Sequence, residues 1–269
     1  MVTAYYSDPW VSLFHGRWEE LIDDTLQVDL IVTDPPYGET ALWWDRWPPG
    51  WPALAARHSR AMWCFGSMRM LLDRHSEFGD WRFSQDLVWE KHNGSNLAAD
   101  RFARVHEHVT FWYRGTWSTI HHQTPTTPDG QRRTIRTKAK PPQWTGGRGA
   151  SVYSCEEGGP RLMRSVLQAR SMHRRGINET EKPVQVLEPL IRYGAPAGGV
   201  VLDLFAGSCA TGVAAKLTGR RAILFELREE QCEQAAIRLA QDCLPLDDTS
   251  VAPIALQSPA VSLLDGGAA

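Results

Sequence analysis

Residues 200–226 read VVLDLFAGSCATGVAAKLTGRRAILFE, and this stretch decides the fold. An apolar strand over 200–205 runs into a loop of small residues, and a helical segment then leads to a second apolar strand that ends at Glu226. Two strands joined through a helix predict parallel pairing in one sheet, because the right-handed crossover returns the chain beside its starting strand. The sequence therefore predicts an α/β fold.

The loop 206–209 and Glu226 together indicate a ligand site. Small residues let a ligand approach the backbone and the N-terminus of the following helix. A carboxylate at the tip of the second strand can accept hydrogen bonds from both hydroxyls of a ribose. The loop lacks the GxGxxG spacing of dinucleotide sites, so the pair predicts a nucleoside-type ligand. For the loop alone, an ordinary tight turn is the alternative.

Residues 28–40 read VDLIVTDPPYGET, in which an apolar strand ends in an acid, two prolines and a tyrosine. Ligands bind at the carboxyl ends of strands in open α/β sheets. There Asp34 offers a fixed acceptor, the prolines hold the corner rigid, and Tyr37 offers a flat face. This corner predicts a socket for a planar amine. A nucleobase amino group would donate to Asp34 and to the carbonyl of Pro35 while its ring stacks on Tyr37.

Other short runs extend the α/β pattern. Further strands are predicted over 11–16, 60–66, 85–91 and 108–115, and a helix that opens at a proline and closes near Gly194 precedes the loop stretch. The prolines and small residues that follow the last helical pattern predict a flexible tail.

Composition limits the class of protein. With 269 residues, 42% of them hydrophobic and 22% charged, the chain suits one globular domain with an insertion. It has no apolar run of membrane-spanning length and no signal-peptide pattern, which predicts a cytoplasmic protein without a membrane partner. The cysteines show no CxxC pair and no histidine at zinc-ligand spacing, so buried thiols are expected and no metal site is predicted. They are Cys64, Cys155, Cys209, Cys232 and Cys243.

Charge is unevenly distributed along the chain. Residues 116–176 contain eleven Lys/Arg and three Asp/Glu, a net of +8, whereas the remainder carries a net of −10 and the total is −2. A basic segment of this kind indicates either a solvated loop or contact with a polyanion.

The stretches TDPPYG (33–38) and EKPVQVLEPLIRYGAPAGG (181–199), with the 200–226 stretch, resemble the β-class amino DNA methyltransferases. These enzymes methylate adenine N6 or cytosine N4 with S-adenosylmethionine, and their catalytic motif precedes the cofactor motif, as here. The resemblance includes LVWEKHNGSN and RVHEHVTFWYRG and covers roughly residues 11–240. It implies a Rossmann-like methyltransferase fold in permuted motif order, with a mostly parallel sheet and helices on both faces, and a bacterial or phage origin.

The resemblance also implies site residues. The methionine part of the cofactor would contact residues around the loop 206–209 and around Lys182–Pro183, and Glu226 would contact the ribose. The implied catalytic residues are Asp34, Pro35, Pro36 and Tyr37. The implied cofactor-binding residues are Thr180, Lys182, Asp203, Phe205, Ala206, Gly207, Ser208 and Glu226.

The basic segment lies where the family inserts its target-recognition region, which favours DNA over a solvated loop. The predicted DNA-binding residues are Arg132, Arg133, Arg136, Lys138, Lys140 and Arg148. The predicted organisation is a catalytic half over 1–115, the recognition region over 116–176, a cofactor-binding half over 177–243 and a tail over 244–269. The short recognition region fits a small site or a homodimer that shares recognition, and a cognate restriction enzyme is left open.

Two departures from the family pattern affect these expectations. The family loop usually reads FxGxG, but Cys209 stands at the second glycine, so the backbone there must tolerate a side chain. Arg17 stands where the family commonly has an acid after a glycine, so a contact to the cofactor adenine is lost or is supplied elsewhere.

The sequence thus predicts a site-specific DNA methyltransferase that flips an adenine from duplex DNA and methylates its N6. Asp34 is the family residue found more often in adenine enzymes. Cytosine N4 methylation and a catalytically inactive DNA-binding relative remain the alternatives, and the two departures motivate the second.

Overall fold

The computed structural model describes residues 2–95, 100–139, 149–172, 176–178 and 180–241. Its strands are β1 Tyr6–Ser7, β2 Val11–His15, β3 Leu30–Thr33, β4 Ala61–Gly66, β5 Arg82–Ser95, β6 Arg104–Tyr113, β7 Thr126–Thr127, β8 Arg133–Thr137, β9 Ser151–Cys155, β10 Arg161–Leu162, β11 Val166–Gln168, β12 Val200–Asp203 and β13 Arg221–Glu226. Its α-helices are α1 Trp18–Leu21, α2 Trp51–Ala55, α3 Met68–Arg74, α4 Val184–Gly194, α5 Ala210–Leu217 and α6 Glu229–Leu239.

Nine strands form one sheet in the order β1-β2-β13-β12-β3-β4-β6-β5-β11. Pairing is parallel from β2 through β13, β12 and β3 to β4, and β11 is parallel to β5. β1 is antiparallel to β2, and β6 is antiparallel to both of its neighbours. The predicted α/β architecture with a mostly parallel sheet is confirmed, and each strand predicted in the sequence analysis corresponds to an observed one.

Helices cover both faces of the sheet, as predicted. Side chains alternate along β3, so Leu30 and Val32 pack into one core while Ile31 packs into the other. The first core is closed by α4, α5 and α6, which contribute residues such as Leu187. The second core is closed by α1, α2 and α3 and contains the fully buried Trp51. Burial on both faces explains why the central strands read as continuous apolar runs.

The element order brings three strand ends together. β12 lies between β13 and β3 with parallel pairing on both sides, so the carboxyl ends of these strands lie at the same edge of the sheet. Asp34 follows β3, Asp203 ends β12 and Glu226 ends β13. Strand lengths and register therefore place three carboxyl groups at one edge, where open α/β sheets bind ligands.

Residues Thr124–Arg164 form a second compact unit. In it β8 pairs with β9 and β7 pairs with β10, both antiparallel. The sequence analysis predicts no strands there, because β8 is exposed along its whole length and carries no alternating apolar face. The unit lies within the predicted recognition region 116–176, and the predicted tail 244–269 lies outside the described residues.

Among the described residues, no helix combines the length and apolar character that a membrane span requires. The four described cysteines are buried free thiols, as predicted, and Cys243 lies outside the described residues.

Candidate active site

A cavity of about 500 Å³ opens at the carboxyl edge of the sheet. All of the predicted catalytic and cofactor-binding residues line it. They are Asp34, Pro35, Pro36, Tyr37, Thr180, Lys182, Asp203, Phe205, Ala206, Gly207, Ser208 and Glu226. The structure therefore brings together two sets of residues that the sequence holds far apart.

The corner that follows β3 is built around Asp34. The Tyr37 hydroxyl donates a hydrogen bond to Asp34 Oδ1 at 2.6 Å, and Lys182 Nζ donates to Oδ2. A quarter of the Asp34 side chain remains exposed on the cavity side. Burial raises the pKa of Asp34, whereas the nearby Lys182 ammonium lowers it. The carboxylate keeps lone pairs for a further donor from the cavity.

The loop after the corner is held by Asp45. Asp45 accepts hydrogen bonds from the backbone N–H groups of Gly38 at 2.8 Å and Thr40 at 2.7 Å, and from the Thr40 hydroxyl at 2.7 Å. Burial alone would raise the pKa of Asp45, but these donors outweigh it and lower the pKa. The same loop brings Trp43, which is 70% exposed, and Trp44 to the cavity wall.

Lys182 links the corner to Glu107, a residue that the sequence analysis did not identify. Lys182 Nζ lies 3.3 Å from Glu107 Oε2 and donates to the Thr180 carbonyl at 3.2 Å, while Lys91 pairs with the other Glu107 oxygen. Burial opposes ionisation of Glu107, but the two ammonium groups lower its pKa to about 2. The available signal was an acid between His106 and His108, just before the apolar and aromatic end of the strand.

Asp203 is almost completely buried at the end of β12. It accepts hydrogen bonds from the Thr211 hydroxyl at 2.6 Å, from the Phe205 N–H at 3.1 Å and from the Thr33 hydroxyl at 3.2 Å. Burial nevertheless raises the pKa of Asp203 to about 7, because these neutral donors only partly replace water. This carboxyl group therefore changes charge near neutral pH.

Glu226 organises the part of the cavity wall that lies at the end of β13. Its Oε2 accepts from the Gly207 N–H at 2.8 Å, and its Oε1 accepts from the Arg228 N–H at 2.9 Å and from Arg228 Nε at 3.1 Å. The Arg228 guanidinium lies over the Trp44 ring at 4.9 Å. A carboxylate has about four acceptor positions, so Glu226 retains capacity for ligand hydroxyl groups.

The backbone conformation at Cys209 explains how the loop accommodates a side chain at the family's glycine position. Cys209 has φ 57° and ψ 30°, and it is the one non-glycine with positive φ in the part of the chain that the structure describes. Glycine adopts this left-handed conformation freely, which explains the family preference there. The Cys209 side chain is fully buried in the core, and burial raises the pKa of its thiol. The loop thus accommodates the cysteine.

At the Arg17 departure, an acid lies nearby on the same cavity wall. Arg17 lies on the cavity wall and pairs with Glu19 at 3.7 Å and with Glu20 at 3.4 Å. Glu19 also lines the cavity. An acid is therefore present at this edge, two residues after the position at which the family pattern has it.

A buried ion pair connects the loop 206–209 to the segment that contains Glu181 and Lys182. The Arg238 guanidinium on α6 contacts Glu181 at 2.9 Å and donates to the Ser208 carbonyl at 3.3 Å. The Glu181 side chain is almost fully buried and also accepts from the Ile177 N–H at 3.0 Å. One arginine therefore holds both walls of the cavity beside Lys182.

A family model described as DNA methylase matches residues 28–237, which is most of the chain. The chain belongs to this family. Its members are N6-adenine and N4-cytosine DNA methyltransferases that use S-adenosylmethionine.

Solved structures of DNA methylases have the same fold. The M1.HpyAVI–SAM complex is 20% identical with a TM-score of 0.58, and it matches over 85% of this chain and 99% of that chain. The cytosine-N4-specific PvuII DNA methyltransferase is 15% identical with a TM-score of 0.60, over 89% of each chain. TTHA0409 from Thermus thermophilus, a selenomethionine derivative, is 18% identical with a TM-score of 0.53, over 85% and 94%.

A curated relative matches over a shorter stretch. "Putative methylase YubD" of Escherichia coli (strain K12) is 49% identical over 61 residues, which are 23% of this chain and 27% of that protein. The match thus spans only about a quarter of the relative's length.

The residues that line the cavity of this family member fit S-adenosylmethionine. A cavity of about 500 Å³ lies in the usual range for small-molecule sites. Glu226 supplies acceptors suited to two ribose hydroxyls, and the Asp203 carboxyl suits the ammonium group of an amino acid. At Gly207, which has φ 50°, an added Cβ would lie 3.4 Å from the Asn178 side chain and would narrow the space beside the loop.

The predicted DNA-binding residues are distributed over the second unit. Arg133 and Arg136 lie on β8, and the antiparallel register places them on opposite faces of the hairpin. Arg132 precedes the strand and pairs with Glu156 at 3.5 Å, with both side chains largely exposed. Lys138 follows the strand and is exposed. Lys140 and Arg148 lie outside the described residues.

Proposed function

We propose that this chain is a site-specific methyltransferase that transfers a methyl group from S-adenosylmethionine to N6 of an adenine flipped out of duplex DNA. The observation that carries the proposal is the cavity shared by the Asp34 corner and by the loop between Asp203 and Glu226. A site for an amine and a site for a nucleoside cofactor are the two components that such a reaction needs.

The corner residues would bind the target base. Asp34 and the Pro35 carbonyl accept the two hydrogens of the amine, which directs the nitrogen lone pair away from the ring, and Tyr37 stacks on the base. The Tyr37 hydroxyl already donates to Asp34, so the acceptor and the ring are oriented together before the base arrives. Such positioning accounts for a large part of the rate of transfers that need no covalent intermediate.

The cofactor residues would hold S-adenosylmethionine beside this corner, in the same cavity. Glu226 holds the ribose hydroxyls, Asp203 and Thr180 face the amino-acid end, and the backbone from Phe205 to Ser208 follows the ligand. When bound, S-adenosylmethionine supplies an electrophilic methyl group. The proton of the methylated amine leaves toward Asp34, whose pKa burial raises.

The basic second unit supports duplex DNA as the substrate. Arg132, Arg133, Arg136 and Lys138 are exposed and are suited to phosphate contacts. We propose that residues 116–176, with Lys140 and Arg148, act as the target-recognition region. An adenine within the duplex cannot reach a cavity of this kind unless it leaves the base stack.

Expression in a host without DNA methylation, followed by modification-sensitive sequencing of that host's DNA, tests the proposal. The expected result is N6-methyladenine at one short sequence, and its loss in Asp34→Ala. N4-methylcytosine at a defined sequence would show that the target base is cytosine and not adenine. Unmodified DNA, despite tight DNA binding, would indicate an inactive relative.

A further inference from the structure

Glu107 is a largely buried acid on the cavity wall that neither the sequence analysis nor the proposed chemistry uses. It lies on β6, and its side chain is 17% exposed. Its Oε2 faces Lys182 Nζ at 3.3 Å but makes no well-oriented hydrogen bond with any described residue. A carboxylate with so little exposure is costly unless its charge is matched, and at Glu107 the ammonium groups of Lys91 and Lys182 match it.

Four side chains of alternating charge contact one another in sequence and end at Asp34 on the cavity wall. Lys91 pairs with Glu107, Glu107 faces Lys182, and Lys182 pairs with Asp34. Lys182 has three donor hydrogens, and the acceptors around it are Asp34, Glu107 and the Thr180 carbonyl. The ammonium of Lys182 is thus divided between two carboxylates.

We propose that Glu107 is a positioning residue that shares the Lys182 ammonium with Asp34 and thereby leaves the Asp34 carboxylate available to the target amine. The inference rests on the proposed function of Asp34. Without Glu107, the charge of Lys182 would act on Asp34 alone, and a carboxylate in a tighter ion pair is a weaker acceptor for a neutral amine.

The surroundings of Asp34 fix the direction of the electrostatic effect. The groups that face Asp34 are Lys182, Glu107, Tyr37, Asp203 and Cys64. Glu107 is an anion and raises the pKa of Asp34, whereas Lys182 lowers it. Removal of the Glu107 charge therefore shifts the titration of Asp34 to lower pH. Removal of Lys91, the other cation beside Glu107, draws Lys182 toward Glu107 and shifts that titration to higher pH.

The test compares Glu107→Gln and Lys91→Met, with Glu90→Gln as the matched control. Glu90 is a second acid close to Glu107, because it follows Trp89, which pairs with Glu107 across the two strands. Glu90 accepts a hydrogen bond from Gln168 Nε2 at 2.9 Å and is not one of the four alternating charges. The titration of Asp34 is followed by carbon NMR of labelled aspartate, with the signal assigned by Asp34→Asn. Single-turnover methylation and calorimetry of S-adenosylmethionine binding complete the measurements.

We expect the Asp34 midpoint to fall in Glu107→Gln, to rise in Lys91→Met and to stay unchanged in Glu90→Gln. Glu107→Gln should slow single turnover about tenfold, which is below the usual effect of removing a placed polar group, with cofactor affinity unchanged. An unshifted midpoint in both variants, or shifts of the same sign, would overturn the inference. A wild-type protein without methyl transfer would contradict the proposed function, and the NMR titration would still decide the role of Glu107.

Discussion

The Lys182 ammonium lies against the Asp34 carboxylate across a separation of 148 residues along the chain. Asp34 belongs to the half of the chain before the basic segment, and Lys182 belongs to the half after it. The contact therefore couples the corner that we propose for the target amine to the segment that precedes the proposed cofactor loop. A change in either partner should affect methyl transfer more strongly than the binding of either substrate alone.

The cofactor assignment of Glu226 predicts a specific loss of affinity. Glu226→Ala removes charge-assisted hydrogen bonds to the ribose, so the binding of S-adenosylmethionine should weaken by about 1.5–3 kcal/mol in calorimetry. Because Glu226 also accepts from Gly207, Glu226→Gln serves as a milder variant that keeps the size of the side chain. Glu230→Gln on the following helix is the matched control, and equal affinity in all four proteins would contradict the assignment.

The raised pKa of Asp203 predicts proton release on cofactor binding. Without ligand this carboxyl is about half protonated near pH 7, and a ligand ammonium group favours its ionised form. Binding should therefore release protons and tighten as pH rises through about 7. Calorimetry in two buffers with different ionisation heats measures the release.

Asp203→Asn provides the control for this linkage, because any titration of the cofactor itself remains in the variant. The difference in proton release between wild type and Asp203→Asn should be largest near neutral pH. Identical proton release in the two proteins would show that Asp203 does not face the ammonium group.

The left-handed conformation of Cys209 predicts that glycine is more stabilising than alanine at this position, which is the opposite of their usual order within a helix. Cys209→Gly and Cys209→Ala remove the same sulfur, but only glycine adopts the left-handed backbone without strain. Cys209→Gly should therefore be more stable than Cys209→Ala by about 1 kcal/mol in urea unfolding. At the next position, within helix α5, Ala210→Gly should have the usual opposite effect and destabilise by about 0.5–1 kcal/mol. A more stable Cys209→Ala would contradict the strain argument.

The basic unit predicts a change in the salt dependence of DNA binding. Neutralising Arg132, Arg133 and Arg136 together to Gln should flatten the log-log slope by up to about 0.9 for each phosphate that the protein no longer neutralises, without a change in cofactor affinity. Because Arg133 and Arg136 lie on opposite faces of the hairpin, the single variants should differ, and the one facing DNA should carry the effect. Arg57→Gln, at an exposed arginine outside this unit, is the control. An unaltered slope in the triple variant would show that the segment is a solvated loop and does not contact DNA phosphates.

The strand ends of the site were predictable from sequence. Asp34 and Glu226 each follow a continuous apolar run, and such runs mark strands that are buried on both faces. Their shared edge follows from parallel pairing, since parallel strands end on the same side of a sheet. The helix at 184–194 was predictable for a similar reason, because its apolar residues repeat with helical spacing and a proline precedes it.

Other features depend on tertiary pairing that a single sequence does not encode locally. Glu107 reaches Lys182 because β6 runs antiparallel between β4 and β5, and its register is set by those neighbours. In the β8–β9 hairpin, β8 is exposed along its whole length and β9 is exposed up to its last residue, Cys155, so no alternating buried face gave a periodic signal. Glu19 lines the cavity because the short helix α1 begins directly after Arg17.

Single-turnover methyl transfer from labelled S-adenosylmethionine to duplex DNA, with wild type beside Asp34→Ala, tests the central claim most directly. Mass spectrometry of the digested nucleosides identifies the product. Wild type should yield N6-methyladenine, and Asp34→Ala should be slower by about two to three orders of magnitude, as for removal of a placed catalytic hydrogen-bonding group. Cofactor affinity should remain nearly unchanged, because Lys182 keeps Glu107 as its partner. A near-normal rate in Asp34→Ala would contradict the role of Asp34 as the acceptor of the target amine.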